Sequence, residues 1–242
     1  MVTANPKRFV EALTLPRRIG VFAGQDGAPA AASVVAGSSV SFVAGVPKQT
    51  QEDCINSTLL AFLAASHQYD RNNDTQNWYS FYQNVLVNIG WDPQQFDFTQ
   101  FTTSGDSFTV DQAILQLIQA IGSGDEIQVV TATINALKGL ARGSRSLVIW
   151  ESNTHTDRAG NFQASSVTVS DGIPVMSFTA YYFQSSQTVD QLLFFTFSSS
   201  TDTLFQSGQT MSLDLDVYAQ VRQAIKQKLG KNAVDFVGSL DI

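Results

Sequence analysis

The chain has 242 residues, 43% of them hydrophobic but only 14% charged, and a formal net charge of −7. That length fits one large domain or two small ones, and the acidic balance excludes general nucleic-acid binding, which needs a basic face. Ser, Thr, Asn and Gln stand in for the missing charges, so a sizeable core goes with a neutral surface rich in hydroxyls and amides.

The first stretch, residues 1–32, reads as an irregular arm. Lys7, Arg8, Arg17 and Arg18 make its first eighteen residues basic against Glu11 alone, and GQDGAPAAA supplies a flexible connector. Its opening, MVTANPKRFVEALTLPRRIGVF, lacks the apolar h-region of a signal peptide. No run reaches the roughly 18 apolar residues of a spanning helix. These features point to a soluble cytoplasmic product, to be released only if it acts on target membranes. The remainder, residues 33–242, reads as a single domain.

Residues 39–46 suggest a short strand closed by Pro47. Helical spacing follows, with Ile55, Leu59, Phe62 and Leu63 on one stripe and Trp78, Phe81, Tyr82, Val85, Leu86 and Ile89 on another. Asp74 is the expected N-cap of the second helix and Gly90 its stop, giving a hairpin turned at 69–73. Residues 94–101 alternate Phe96, Phe98 and Phe101 with polar neighbours, as a short strand would. A second helical pair is expected over 111–121 and 126–140, turned at GSGD.

After Gly143 the hydrophobic period changes to two. Strands are expected at 145–155, 161–170, 173–185, 190–198 and 208–216, and their short connections favour antiparallel pairing. The strand from 173 alternates Met176, Phe178, Ala180 and Tyr182 with Ser177, Thr179 and Tyr181. A last amphipathic helix uses Val217, Val221, Ile225 and Leu229, with Arg222, Lys226 and Lys228 outward. Helices first and antiparallel strands after define an α+β fold, with helical hairpins from the N-terminal half packed on a mainly antiparallel sheet. A three-layer α/β/α sandwich satisfies this pattern.

Motifs for chemistry are scarce. His67 and His155 are the only histidines, Cys54 is the only cysteine, and no HExxH spacing occurs, so no metal site is expected. Asp70, Asn72 and Asp74 begin like an EF-hand loop, but Thr75 and Phe81 stand where Gly and Glu are required. GxGxxG, GxxxxGK[ST] and GxSxG are absent, and no cofactor is expected. Asp214 and Asp216 share a strand face without any sign of acid–base work. Asn56-Ser57-Thr58 and Asn73-Asp74-Thr75 match the glycosylation pattern by chance in a chain without a secretory signal. Cys54 beside an apolar stripe is either a buried inert thiol or a lipid-attachment site. The cluster of Trp78, Tyr79, Phe81, Tyr82 and Trp91 is either core or, where exposed, a bilayer or partner contact.

The order of elements, with the segment Leu192-Leu193-Phe194-Phe195-Thr196-Phe197, resembles the Cyt family of cytolytic toxins and the related mushroom cardiotoxins. That resemblance implies a single α/β domain that associates with membranes and permeabilises them. The stretch NSTLLAFLAASHQYDRNNDTQNWYSFYQNVLVNIGWD, residues 56–92, resembles uncharacterised bacterial proteins related to an Erwinia virulence factor, a lipid-modified, non-enzymatic class. Two expectations follow. The first is a non-enzymatic, membrane-associating, toxin-like or virulence-type protein, with Cys54 as lipid attachment point and Trp78, Tyr79, Tyr82, Met176, Phe178 and Tyr182 as membrane or partner contacts. In support, the eleven residues 173–183 match the length of a tilted membrane strand. The second is a self-assembling structural or binding module, a homo-oligomer joining the basic arm to the acidic helical surface.

Overall fold

The structure, a computed structural model, describes residues 5–16, 31–230 and 232–242. Within the expected irregular arm, Pro6–Ala12 forms a helix, α1, because Asn5 caps it by accepting from Arg8 N at 2.9 Å and proline opens its first turn. The GQDGAPAAA connector lies outside the described residues, apart from its last two alanines. Strand β1 (Ala32–Val35) and strand β2 (Ser38–Phe42) then form a hairpin, β1 having gone unread in the sequence.

Helix α2 (Lys48–Gln68) departs from the expected single stripe. Its residues from Ser57 to Ala65 are all buried, so the helix runs through the interior instead of lying on it. Helix α3 (Thr75–Asn88) does bury one stripe, Trp78, Tyr79, Tyr82, Val85 and Leu86. The turn between them is held by Asp70, whose carboxylate accepts from Asn72 N at 2.9 Å and Asn73 N at 3.1 Å. Asp74 occupies the N-cap position, but its carboxylate receives Asn77 Nδ2 at 2.8 Å and caps no backbone N–H. Gly90 ends the helix at a φ of +104°, as a glycine stop should.

Of the expected 94–101 strand only β3 (Thr99–Gln100) pairs, while Phe101 drops into the core and Phe96 and Phe98 stay half-buried. Strand β4 (Ser107–Thr109) leads into α4 (Val110–Ile121), and α5 (Gly124–Gly139) follows across GSGD. Both helices start with capping boxes. Thr109 N donates to Gln112 Oε1 at 2.9 Å, and Ser123 N donates to Glu126 Oε2 at 2.8 Å.

The main correction lies at 145–155, expected as a strand. It is helix α6 (Arg145–Thr154), burying Ser146, Leu147, Ile149, Trp150, Asn153 and Thr154 at helical intervals. The run LVIW, residues 147–150, is apolar at every position, and such short runs carry no period to separate strand from buried helix. Strands β5 (Ala159–Ser170) and β6 (Ile173–Gln184) match their expected spans, joined at Asp171 and Gly172, both at positive φ, as a tight hairpin requires. The expected 190–198 strand divides into a 3₁₀ turn (Leu192–Phe194) and β7 (Thr196–Ser198), which pairs with β4 apart from the main sheet. Strand β8 (Thr203–Ser212) ends before 216 because Asp214 caps helix α7 (Leu215–Leu229), accepting from Asp216 N and Val217 N. Helix α8 (Asn232–Phe236) and strand β9 (Val237–Leu240) complete the described chain.

Among the described residues the main sheet has seven strands in the order β3-β8-β6-β5-β2-β1-β9, antiparallel except for the β2–β5 pair. One face packs on α1, α2, α3 and α7, the other on α4, α5 and α6, so the α+β domain is a three-layer sandwich. Under α5 the central strands present small hydroxyl side chains. Ser41 Oγ lies 2.8 Å from Thr133 Oγ1, and Ser166 Oγ donates to buried Glu126 Oε1 at 2.9 Å. This polar interior is internally satisfied, as burial demands.

Candidate functional site

Cys54, the expected lipid-attachment residue, is buried in the core cluster between α2, the sheet and α7. Burial, reinforced by neighbouring Asp53, pushes its thiol well above the usual range, which suppresses the reactive thiolate.

The six expected contact residues do converge. Trp78 stacks on Tyr82 at 5.2 Å, Tyr82 meets Phe178 at 5.7 Å, and Trp78 meets Tyr79 edge-on at 4.8 Å. Met176 joins the same cluster from β6. Trp78, Tyr79, Tyr82, Met176 and Phe178 are all buried, so in this fold they face neither lipid nor partner. Their ring faces and thioether are spent on covering the sheet.

Tyr182 differs. It is half-buried and stands at the rim of the cluster, where β6 and β8 place it directly opposite Phe205. The two rings stack at 4.8 Å with 12° between their planes. Phe98 stands against Tyr182 at 5.0 Å and 70°, forming a wall, with Phe96 stacked behind it at 6.2 Å. Partial burial raises the Tyr182 phenol above its ordinary value, so it stays protonated.

Two hollows adjoin over this stack. One, about 460 Å³, lies between Tyr79, Phe96 and Phe98 and the outer side of α3, with Gln76, Gln83 and Gln95 at its rim. The other, about 390 Å³, runs on past Tyr182 and Phe205 to Gln184, Thr201 and Thr203. Among the described residues, Asp97 is the one carboxylate in either lining, and no Lys, Arg or His contributes.

A buried network fixes the floor. Tyr79 Oη donates to Asn161 Oδ1 at 2.7 Å and accepts from Gln163 Nε2 at 2.8 Å. Ser38 Oγ donates to Gln163 Oε1 at 2.7 Å, and Asn161 Nδ2 donates to Arg71 O at 2.9 Å. The α2–α3 turn, β5 and β2 are thereby tied behind the cleft. Burial raises the Tyr79 phenol further, so it serves as a donor.

Sequence reasoning named Tyr79 and Tyr182 but missed Phe205, because the strand carrying it was placed too late. The alternation of Phe96 and Phe98 with polar neighbours points only to a strand face. The usable signal was a second aromatic on the strand that pairs with β6.

Other groups with chemistry lie elsewhere. His67 and Arg71 line a shallow hollow of about 610 Å³ at the end of α2, where Arg71 spans the Phe62 ring at 5.4 Å and donates to Asn153 O. His155 Nδ1 lies 3.4 Å from Glu151 Oε2. Among the described residues no group of three or more His, Cys, Asp and Glu could hold a metal ion, and no helix is long and apolar enough to cross a membrane.

Fold and site together define a three-layer α/β/α protein with an open aromatic cleft near the β3–β8 edge. No protein-family model matches the chain, and no curated protein matches it. Among solved structures it is similar to one titled as the structure of the Evf virulence factor, at a TM-score of 0.35 and 10% identity, covering 89% of this chain and 87% of that one. The Cyt-type resemblance is not shown by these comparisons.

Proposed function

We propose that this protein is a non-enzymatic binding module that holds its ligand in the aromatic cleft. The observation carrying this is the Tyr182–Phe205 stack, two half-buried rings that paired strands hold at the lining of both hollows. Rigid strands hold the platform in register, so little order is lost when a ligand settles on it. The lining offers Asp97 and tyrosine hydroxyls as its ionisable groups, a set suited to recognition more than to paired acid–base turnover.

Membrane association with toxin-like activity is the second reading, favoured by the length of β5 and β6, 12 residues each. Strands that long can span a bilayer. The faces of this hairpin speak against insertion. The side carrying Met176, Phe178 and Ala180 also carries Asn161, Gln163 and Ser165, and the other side carries Ser166, Ser177 and Thr179. A lipid-facing surface built from either side would bury amides or hydroxyls in hydrocarbon, at several kcal/mol for each unsatisfied group.

Fragment screening by ¹H–¹⁵N spectra, with dye-loaded liposomes as a parallel arm, tests both. Fragment contacts clustered on Tyr182, Phe205 and Gln76 are expected, with no leakage. Fragments that scatter over the surface would remove the binding reading, and leakage would reinstate the membrane one.

A further inference from the structure

The chemistry of the cleft narrows the ligand, on the reading that the cleft is a binding site. Its platform is aromatic, its rim is neutral and hydrogen-bonding, and its one carboxylate has no cation beside it among the described residues of the lining. An apolar ligand would leave the rim groups without partners. A phosphate or an acidic chain would meet Asp97 with no compensating charge. A purely polar ligand would gain nothing from the stacked rings.

A pyranose satisfies all three conditions. Its axial C–H bonds gather on one face, and these weakly positive hydrogens suit the negative face of an aromatic ring. Its equatorial hydroxyls radiate at the edge, where each both donates and accepts. Side-chain amides match that pattern, since one carboxamide presents an acceptor oxygen and two donor hydrogens in a plane. Gln76, Gln95 and Gln184 are exposed around the platform and so stand ready to exchange water for sugar hydroxyls.

The two hollows share Tyr182 and Phe205, and their volumes, about 460 and 390 Å³, both fall in the range of ligand sites, roughly 300–1,000 Å³. Two hollows that share a pair of lining rings suit a chain of sugars better than a single one. We propose that the double hollow over the Tyr182–Phe205 stack binds a neutral oligosaccharide, one pyranose face lying on the rings and the flanking amides taking the hydroxyls of that unit and its neighbours.

The test is titration of the full chain, followed by ¹H–¹⁵N spectra, with cellohexaose, chitohexaose, xylohexaose and mannohexaose. Oligogalacturonate and decaproline serve as contrasting probes. At least one neutral hexaose should shift Tyr182, Phe205 and Gln184 together, and oligogalacturonate should bind more weakly. Tyr182→Ala and Phe205→Ala should each weaken binding about tenfold, the scale of a central aromatic contact. Tyr182→Phe should change it little, because the ring face does the work. Gln76→Ala and Gln184→Ala, at exposed positions, keep the test open if a ring variant fails to fold. Decaproline binding at the cleft without any saccharide would overturn the sugar assignment while leaving a binding site. No saccharide binding with fragments still clustered there would do the same. Fragments clustering nowhere would remove the cleft itself.

Discussion

Arg222 of α7 grips Asp53 of α2 with three hydrogen bonds, Nε to Oδ1 at 2.9 Å and to Oδ2 at 3.1 Å and Nη2 to Oδ2 at 2.8 Å, across 169 residues of sequence. Asp53 is almost wholly buried, with Gln49 Nε2 as a further donor at 3.0 Å. The expected outward basic face of α7 is therefore partly a clamp, and Lys226 adds to it through Glu52 at 3.0 Å. Arg222→Met strands a buried carboxylate, so we expect a loss of about 3 kcal/mol in urea unfolding. Adding Asp53→Asn to that variant should recover part of the loss. Additive costs in the double variant would show that the pair is not coupled.

Cys54 has no exposed surface. Cys54→Ala should cost about 1 kcal/mol and leave ligand binding intact. The native thiol should resist maleimide and react once the chain is unfolded. An intact mass raised by one fatty acyl group on Cys54 would show that the lipid-attachment expectation holds and that the core opens to admit the chain.

Gly37 closes the β1–β2 turn against the end of α6. A Cβ there would sit 2.3 Å from Asn153 O, a backbone atom, and 2.9 Å from the Phe62 ring. Gly37→Ala should lower stability by about 2 kcal/mol through overpacking. The urea midpoint should fall with an unchanged slope. A midpoint equal to the parent's would mean that the turn and α6 separate freely.

The setting of His155 and Glu151 shifts each of them toward its neutral form. Burial first, then the charge of Arg71, lowers the imidazole below its ordinary 6.5, against opposing pulls from Asp157 and Asp190. Burial raises Glu151 above its ordinary 4.5, opposed by its bond from Leu192 N. An ionised pair at 3.4 Å would attract, yet desolvation of both partners outweighs that gain. For His155 the unfolded chain binds the proton more readily, so stability is full above about pH 6.5 and falls on acidification until the folded-state value is passed. Glu151 acts in the opposite sense, contributing below its ordinary value and losing that contribution as pH rises through its raised one. His155→Gln should therefore lose less Tm than the parent between pH 7.5 and 5.5. An equal or larger loss would contradict the assignment.

The α2–α3 hairpin, both capping-box helices and the β5–β6 hairpin were legible because their signals are local: a 3.6 stripe in α3, Ser123 with Glu126, and Asp171-Gly172 between two runs of period two. Helix α6 was not, since LVIW, residues 147–150, is apolar throughout. Strands β1 and β9 went unread because ASVV and VGSL gain their meaning only from each other, as Val35 pairs with Val237. The cleft was half legible. Tyr182 drew notice as one member of an alternating strand, but its pairing with Phe205 depends on a register that no short stretch of sequence encodes.

Strand β1 lies between β2 and β9, and β2 lies beside β5, so the first strands of the domain take their neighbours from its middle and its end. During synthesis the β1–β2 hairpin must wait with one edge bare until residues near Gln163 emerge, and with the other bare until Leu240 does. Such distant pairings slow folding, and bare edges meanwhile invite other chains. Vectorial synthesis thus gives this protein a long vulnerable interval, one that a nascent-chain chaperone would shorten and that loss of the last strand would make permanent.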